Sequence, residues 1–354
     1  MGRYAVSIED IARAAGVSHS TVSRALRHSA LISPDVRSRI QRMAGEMGYT
    51  PNALAQSLQT RRSQTLGLVV PSIADPFFTE IVRGVEEAAR PARFSVFLSA
   101  SYNDVGQETA VIDTLYARRV EGLLIASLHI SSNYAERLRR VTVPTVLLNN
   151  EAAGDRTGLH WVRVDDHLGA RLATEHLIQL GHRAIGYMGV ANRPRSHEQR
   201  LAGYRAALEA AGITAREGWV AQPLSSEAPA TVAGQEADVA AGQALLPQML
   251  AQGVTAVFCF NDMVAVGALL GCRARGLVVP DDLSLVGFDD VEVARYMAPP
   301  LTTIHQPRVR LGTLATEMLL DQLAARPVTD QVLPPHLVVR GSTAPAPAHA
   351  GRAG

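Results

Sequence analysis

Between residues 7 and 27 the apolar spacing leaves this chain little freedom. Ile8, Ile11, Ala12 and Ala15 recur at i, i+3, i+4 and i+7, one face of a helix. Ser7 precedes the run as a capping residue, with Asp10 three positions on as an acidic partner for the first amides. Gly16 ends it, since a glycine turns left-handed at low cost. Ser18 caps a second helix that runs to about Leu26. On it Val22, Ala25 and Leu26 face the first helix, while His19, Ser20, Ser23, Arg24 and Arg27 point outward. Ser33-Pro34-Asp35 signals a third helix start, and Val36, Ile40, Met43, Ala44 and Met47 form its apolar stripe, ended by Gly48. A bare helical hairpin is a common surface feature. Three short helices that close a small core around a helix–glycine–helix unit are built to lay the second helix in a DNA major groove.

Charge agrees. Residues 1–62 hold nine arginines and four acids, a net of +5, whereas the whole chain of 354 residues is only +1, so the remainder is slightly acidic. A basic head on an acidic body is an electrostatic footprint for phosphate. All 34 basic residues are arginine. The length suits two or three domains. No apolar run reaches the roughly 18 residues of a membrane helix, and the N-terminus lacks a signal peptide's apolar stretch. A cytoplasmic protein, associated with the nucleoid when DNA-bound, is therefore expected. Cys259 and Cys272 lie in apolar contexts without metal-ligand spacing and are expected to be reduced core residues.

The motif Ala14-Ala15-Gly16-Val17-Ser18-x-x-Thr21-Val22-Ser23-Arg24 resembles the headpiece of the LacI/GalR (lactose-repressor) family of bacterial transcriptional regulators, and Gly48-Tyr49-Thr50-Pro51-Asn52-Ala53-Leu54-Ala55-Gln56-Ser57-Leu58 resembles that family's hinge. The likeness runs from about residue 6 to about 343. It implies that His19, Ser20 and Arg24 read base edges, arginine suiting guanine O6 and N7. It implies that Thr21, Ser23, Arg27 and Ser33 hold phosphates, which position without reading sequence. One departure is visible: Arg27-His28 stand where the family often has Asn-Gly. The hinge helix opened by Pro51 is too short to be stable alone. The resemblance implies that two such helices, one per subunit, pair in the minor groove, with Asn52 and Ala55 in the hinge and Leu58 as the wedge that kinks the duplex.

After the polar linker Gln59–Thr65, apolar runs alternate with helical periods. Leu66–Pro71, Ser95–Ser99, Gly122–Ala126 and Thr145–Leu148 read as strands, with helices at Phe77–Ala89 and Gln107–Arg118. The pattern restarts at His160–Val164, with a helix at Asp166–Leu180 and strands at Ala184–Met188, Ala256–Phe260 and Leu283–Phe288. These runs are continuous rather than alternating, as buried parallel strands require. The expected fold is a small all-α helix-turn-helix headpiece plus an α/β core of two doubly wound subdomains, the latter similar to periplasmic binding proteins. The expected organisation is a headpiece at 1–50, hinge and linker at 51–65, an effector-binding and dimerisation core at 66–343, and a disordered Ala/Pro/Gly-rich tail at 344–354. Within the core, the N-subdomain takes about 66–164 and 292–322 and the C-subdomain about 165–291 and 323–343. The chain is expected to cross between them near Asp165, near Val291 and within 320–328. The tail carries no leucine heptad, so a homodimer matching a two-fold operator is expected.

Ligands of open α/β sheets sit beyond the C-terminal ends of strands. There the chain places Phe77 and Phe78, Asn149, Arg200, Asn261-Asp262 and Asp289-Asp290. The resemblance implies that Arg200 clamps an effector, that Asn149, Asn261 and Asp289 hold sugar hydroxyls, and that Phe77 or Phe78 stacks on the ligand. Ser196, with Arg195, lies on the loop before Arg200 and joins this set. One of Asn261 and Asp262 is expected to cap the next helix instead. Near Ala237, many sugar-binding members have an aromatic that this chain lacks. A sugar-like effector is expected, with a purine, a sugar acid or a sugar phosphate as the alternative, given the extra Arg193 and Arg195. A solute-binding protein would need a signal peptide and no headpiece. An enzyme is not expected, since no P-loop, nucleophile elbow or zinc signature is present. Neither a cofactor nor a metal is expected.

Overall fold

The computed structural model describes residues 6–49, 62–102, 104–126, 143–149, 159–191, 193–223 and 235–347. The hinge residues Asn52, Ala55 and Leu58 lie outside the described residues. The chain divides into two compact units, Met1–Ser63 and Gln64–Gly354.

In the first unit, helices α1 (Ile8–Ala15), α2 (His19–Leu26) and α3 (Pro34–Glu46) close on a core of Ile11, Ala12, Ala15, Val22, Ala25, Ile40 and Ala44. The capping box forms as the sequence suggests. The Ser7 hydroxyl accepts from the Asp10 amide at 3.2 Å, and the Asp10 carboxylate accepts from the Ser7 amide at 3.0 Å. Those hydrogen bonds hold the Asp10 carboxyl below the usual carboxylate range. Gly16 takes φ 64°, and His28 takes the left-handed φ of 56° without being a glycine. α3 also satisfies the orphan carbonyls at the ends of the first two helices: Arg39 donates to the Ala15 carbonyl and Gln41 to that of Ala25.

The second unit is built on two six-stranded sheets. One runs β11–β5–β4–β3–β1–β2, from β1 (Thr65–Val70), β2 (Ser95–Ala100), β3 (Gly122–Ile125), β4 (Thr145–Leu148), β5 (His160–Val164) and β11 (Gln331–Leu333), every pair parallel. The other runs β12–β10–β9–β8–β6–β7, from β6 (Ile185–Met188), β7 (Val220–Ala221), β8 (Ala256–Cys259), β9 (Ser284–Asp289), β10 (Thr302–His305) and β12 (His336–Val338). Only β12 is antiparallel, against β10. Helices α4 (Pro76–Ala89), α5 (Val105–Ala117) and α11 (Arg308–Leu323) belong with the first sheet. α6 (Asp166–Gln179), α7 (Pro194–Ala210), α8 (Gln235–Ala251), α9 (Asp262–Arg273) and the short α10 (Val293–Tyr296) belong with the second. No described helix is long and apolar enough to cross a membrane.

Three features differ from the sequence reading. The chain first crosses between sheets at Val164–Asp166. The second crossing falls at His305–Arg308, not near Val291, because β10 still pairs with β9. The third lies between β11 and β12, at 333–336, not within 320–328, because β11 first adds to β5. Both late strands are three residues long, too short for periodicity to reveal. Second, β2 is an edge strand. Its Phe97 and Leu98 are exposed although Val96, Phe97 and Leu98 form an unbroken apolar run. Third, residues 344–347 are ordered. The Ala346 amide donates to the Leu180 carbonyl at 2.8 Å, and His182 Nε2 sits 3.0 Å from the Ala344 carbonyl oxygen.

α4 and α11 cross where neither has a side chain. A Cβ on Gly84 would meet the Val309 carbonyl oxygen, and one on Gly312 the Ile81 carbonyl oxygen. The substitution Gly312→Ala is expected to cost about 1–3 kcal/mol through overpacking, measured by urea unfolding. Unchanged stability would show that the two helices need not touch.

Candidate nucleic-acid interface and ligand cleft

On α2 the outward face is short and polar. His19, Ser20, Arg24 and Arg27 are exposed, while Val22 and Ala25 are buried. The Ser18 hydroxyl accepts from the Thr21 amide at 3.2 Å and lies 2.8 Å from the Thr21 hydroxyl and 2.9 Å from that of Ser20. This cluster fixes the first turn, whose unpaired amides carry the positive end of the helix dipole. Ser23 differs from expectation. It is buried, its hydroxyl accepting from the Arg27 guanidinium at 2.9 Å and its carbonyl from Arg27 Nε at 3.2 Å. Ser23 therefore orients Arg27. Ser33 is exposed at the N-cap of α3, and its side chain makes no capping hydrogen bond.

In the core, the strand exits converge on a cavity of about 50 Å³, lined among others by Asp75, Phe77, Phe78, Asn149, Arg193, Ser196, Arg200, Phe260 and Asp289. The cleft turns on backbone that only short polar residues tolerate well. Asn149 has φ 53°, Asp289 φ 109° and Asp290 φ 53°. Phe77 and Phe78 meet edge to face, their centroids 5.1 Å apart.

One hydrogen-bonded chain joins the two sheets. Asn149, after β4, accepts from the Val164 amide at 3.1 Å and donates to the Gln306 side-chain oxygen at 3.4 Å. Gln306, on the second crossing, donates to Asp289 at 2.6 Å. Arg200 reaches Asp289 at 3.7 Å and donates to Asp166, on the first crossing, at 2.8 Å. Arg308, just past the second crossing, donates to the carbonyls of Asp289 and Asp290 and to Glu80 of α4. Burial raises the Asp289 carboxyl to about 6, against the pull of Arg200 and Arg308. Burial works in the same direction on Asp290, yet hydrogen bonds from His305 and Arg340 hold it down at about 2.

Arg200 is less open than expected. It is buried, its guanidinium packed between the rings of Phe288 at 3.7 Å and Phe260 at 4.4 Å, with its polar atoms on Asp166 and the Phe260 carbonyl. It positions the cleft more than it faces it, and removing it would leave buried carboxylates uncompensated, a loss of about 3–5 kcal/mol. Asn261 does not line the cavity. Its oxygen caps α9 at the Val264 amide, 2.9 Å away, and its amide donates to Asp238 at 2.7 Å. Asp262 is equally structural, accepting from Thr303 and the Val291 amide. The sequence reading missed Asp75, Asp238 and Phe260 and mentioned Arg193 only for its charge. Phe260, directly after β8, supplies an aromatic wall to a cleft that has none at Ala237. The signal was available, since Asp75 and Phe260 also stand at strand exits.

Comparison with known proteins follows the same division. The family model described as "Bacterial regulatory proteins, lacI family" matches residues 7–52, and the "Periplasmic binding protein-like domain" matches residues 174–343. The chain is 35% identical to the HTH-type transcriptional regulator GalS of Salmonella typhimurium, over 90% of each protein. It is 35% identical to the ribose operon repressor of Haemophilus influenzae, over 90% of this chain and 92% of that one. It is 34% identical to the repressor CytR of Escherichia coli, over 96% of both. Among solved structures it resembles the Lac repressor dimer bound to operator and the anti-inducer ONPF, with a TM-score of 0.84 at 29% identity, covering 96% of this chain and 100% of that one. It also resembles the CelR–cellobiose complex, with a TM-score of 0.70 at 32% identity, covering 95% and 99%.

The raised Asp289 carboxyl has a measurable sign. A folded-state pKa above the unfolded value gives stability that is present at low pH and lost as pH rises through about 6. The unfolding free energy of the protein minus that of Asp289→Asn should therefore fall from about pH 4 to about pH 6 and then level off. A difference that is flat across this range contradicts the burial of an ionisable Asp289.

Proposed function

The chain belongs to the LacI family of bacterial regulatory proteins, DNA-binding transcriptional regulators and not enzymes, and from that premise we propose that it represses carbohydrate-utilisation genes under the control of a small neutral sugar held in the core cleft. The observation that carries the effector class is the lining of that cleft. Carboxylates at Asp75 and Asp289 and the amide of Asn149 stand beside the rings of Phe77, Phe78 and Phe260. Carboxylate oxygens accept from hydroxyls, and aromatic faces suit a sugar's C–H face. The names of two similar proteins, the ribose operon repressor and the CelR–cellobiose complex, support a carbohydrate. The similarity to CytR and to the purine repressor PurR of Proteus mirabilis keeps a nucleoside or purine as the second reading. A sugar acid or sugar phosphate fits less well, because both lining arginines already face carboxylates, Arg193 those of Asp238 and Asp75 and Arg200 those of Asp166 and Asp289.

On DNA, a homodimer places two copies of α2 in successive major grooves of a palindromic operator on the nucleoid. His19, Ser20 and Arg24 reach base edges, while Thr21, Arg27 and Ser33 hold phosphates, with Ser23 acting through Arg27. Asn52, Ala55 and Leu58 form the minor-groove hinge. A ligand that favours one cleft angle changes whether the two hinges pair, and so changes operator affinity.

A thermal-shift screen against neutral sugars, sugar acids, sugar phosphates and purines tests the effector class. A specific ligand at 100 times its Kd adds about 2.7 kcal/mol of stability. A neutral sugar that stabilises the protein but not Phe77→Ala is expected. A stabilising phosphate or purine would overturn the sugar reading. For the DNA face, Arg24→Ala is expected to cost about 1–3 kcal/mol of discrimination between the operator and a variant site, read by fluorescence anisotropy. An equal loss on both sites would make Arg24 a phosphate contact instead.

A further inference from the structure

Arg193 stands on the loop between β6 and α7, in the half of the core built on the second sheet. Its guanidinium is anchored at 2.9 Å to Asp238 of α8 in the same half. From that anchor it reaches across the cleft to Asp75, which follows β1 in the other half, at 4.0 Å. All three side chains are largely withdrawn from solvent, at 12%, 4% and 13% exposure for Arg193, Asp238 and Asp75. The arrangement is buttressed on both sides. Asn261 donates to the same Asp238 oxygen that faces Arg193. The other oxygen of Asp75 caps α4 at the Phe77 amide, 2.9 Å away. The guanidinium carbon lies 5.6 Å from the centroid of the Phe260 ring, one of the rings that line the cavity.

We propose that Arg193 is an internal competitor for the cleft: its guanidinium fills the place of a ligand between Asp75, Asp238 and Phe260, draws the two halves together, and must give up Asp75 for an effector to bind. The chemistry of the groups supports this role. A guanidinium is a flat body with N–H donors along its edge. It satisfies two carboxylates and covers an aromatic face, as a ring bearing hydroxyls would. The cavity that remains, about 50 Å³, holds a few waters, well short of the 300–1,000 Å³ usual for a ligand pocket. A monosaccharide therefore has to displace something, and Arg193 is the lining charge whose cross-cleft partner among the described residues, Asp75, is 4.0 Å away rather than in direct hydrogen-bond contact. Arg200, by contrast, is committed to Asp166 and the Phe260 carbonyl. Arg193 thus selects ligands. A successful effector offers a hydroxyl donor to Asp75, so that the guanidinium can leave it without stripping that buried carboxylate of its partner, while Asp238 keeps the Asn261 amide. The selection role rests on the reading that the effector occupies this cleft; the bridge between the halves does not.

The test uses the full chain and needs no knowledge of the effector. The two natural cysteines, Cys259 and Cys272, are buried, so fluorophores can be placed on Arg90→Cys in one half and Arg205→Cys in the other, both exposed positions. Energy transfer then reports the angle between the halves. The labelled protein is expected to shift to longer distances on Arg193→Ala and on Asp75→Asn, with no further shift when the two are combined. Methylguanidinium chloride at millimolar concentration should restore the shorter distance in Arg193→Ala, where an equal concentration of sodium chloride does not. An unchanged distance in Arg193→Ala, or in Asp75→Asn, overturns the proposal, as does a failure of methylguanidinium to act. If Arg193→Ala does not fold, Arg193→Met keeps the stem and removes the charge, and the same distance shift is required of it. A distance shift combined with purine rather than sugar binding would leave the bridge standing and overturn only the effector class.

Discussion

Arg200 and Asp289 are opposite charges taken almost wholly out of water, and the groups that satisfy them tie the two halves of the core together. Buried charges persist only when paired and hydrogen-bonded. Here the partners lie on both chain crossings: Asp166 at the first, Gln306 and Arg308 at the second. The requirement to keep these groups satisfied is thus a constraint on the angle between the sheets. Gln306 connects Asp289 to Asn149 in the other half. Interiors packed in this way shift between discrete arrangements rather than deform smoothly, which is how a cleft ligand gains leverage over a distant element.

Much of this architecture is legible in the sequence because burial writes it there. The headpiece follows from apolar spacing and capping residues. Ile11, Ala12 and Ala15 face the α2 residues Val22 and Ala25, and Ser7, Gly16 and Ser18 hold their turns. The central strands of both sheets are continuous apolar runs, since each is covered on two faces. Legibility fails where the same signal has two causes. β2 carries the apolar run Val96-Phe97-Leu98, yet it lies at an edge with Phe97 and Leu98 exposed. β11 and β12 are too short to carry a period, so two crossings between the sheets fall later than periodicity suggests.

The cleft shows a different limit. Position at a strand exit is a property of local sequence, and it locates Phe77, Phe78, Asn149 and Asp289. Whether a side chain at such an exit faces the cavity or supports it depends on partners far along the chain. Arg200 is turned inward by Asp166 and two aromatic rings. Asn261 is absorbed into the α9 cap and Asp238. Asp75 and Arg193 face the cavity, and their pairing across the cleft joins residues more than a hundred positions apart. No local pattern encodes that pairing.

The central claim is that one free-energy difference is shared between the cleft and the DNA face. Linkage makes the claim reciprocal: a ligand that changes operator affinity tenfold, about 1.4 kcal/mol, must itself be bound tenfold differently by the operator complex. The direct measurement is the Kd of the cleft ligand for the free protein and for the protein saturated with operator DNA, beside the operator Kd with and without saturating ligand. Two equal ratios are expected, both different from one. A ligand bound equally well with and without operator would contradict it.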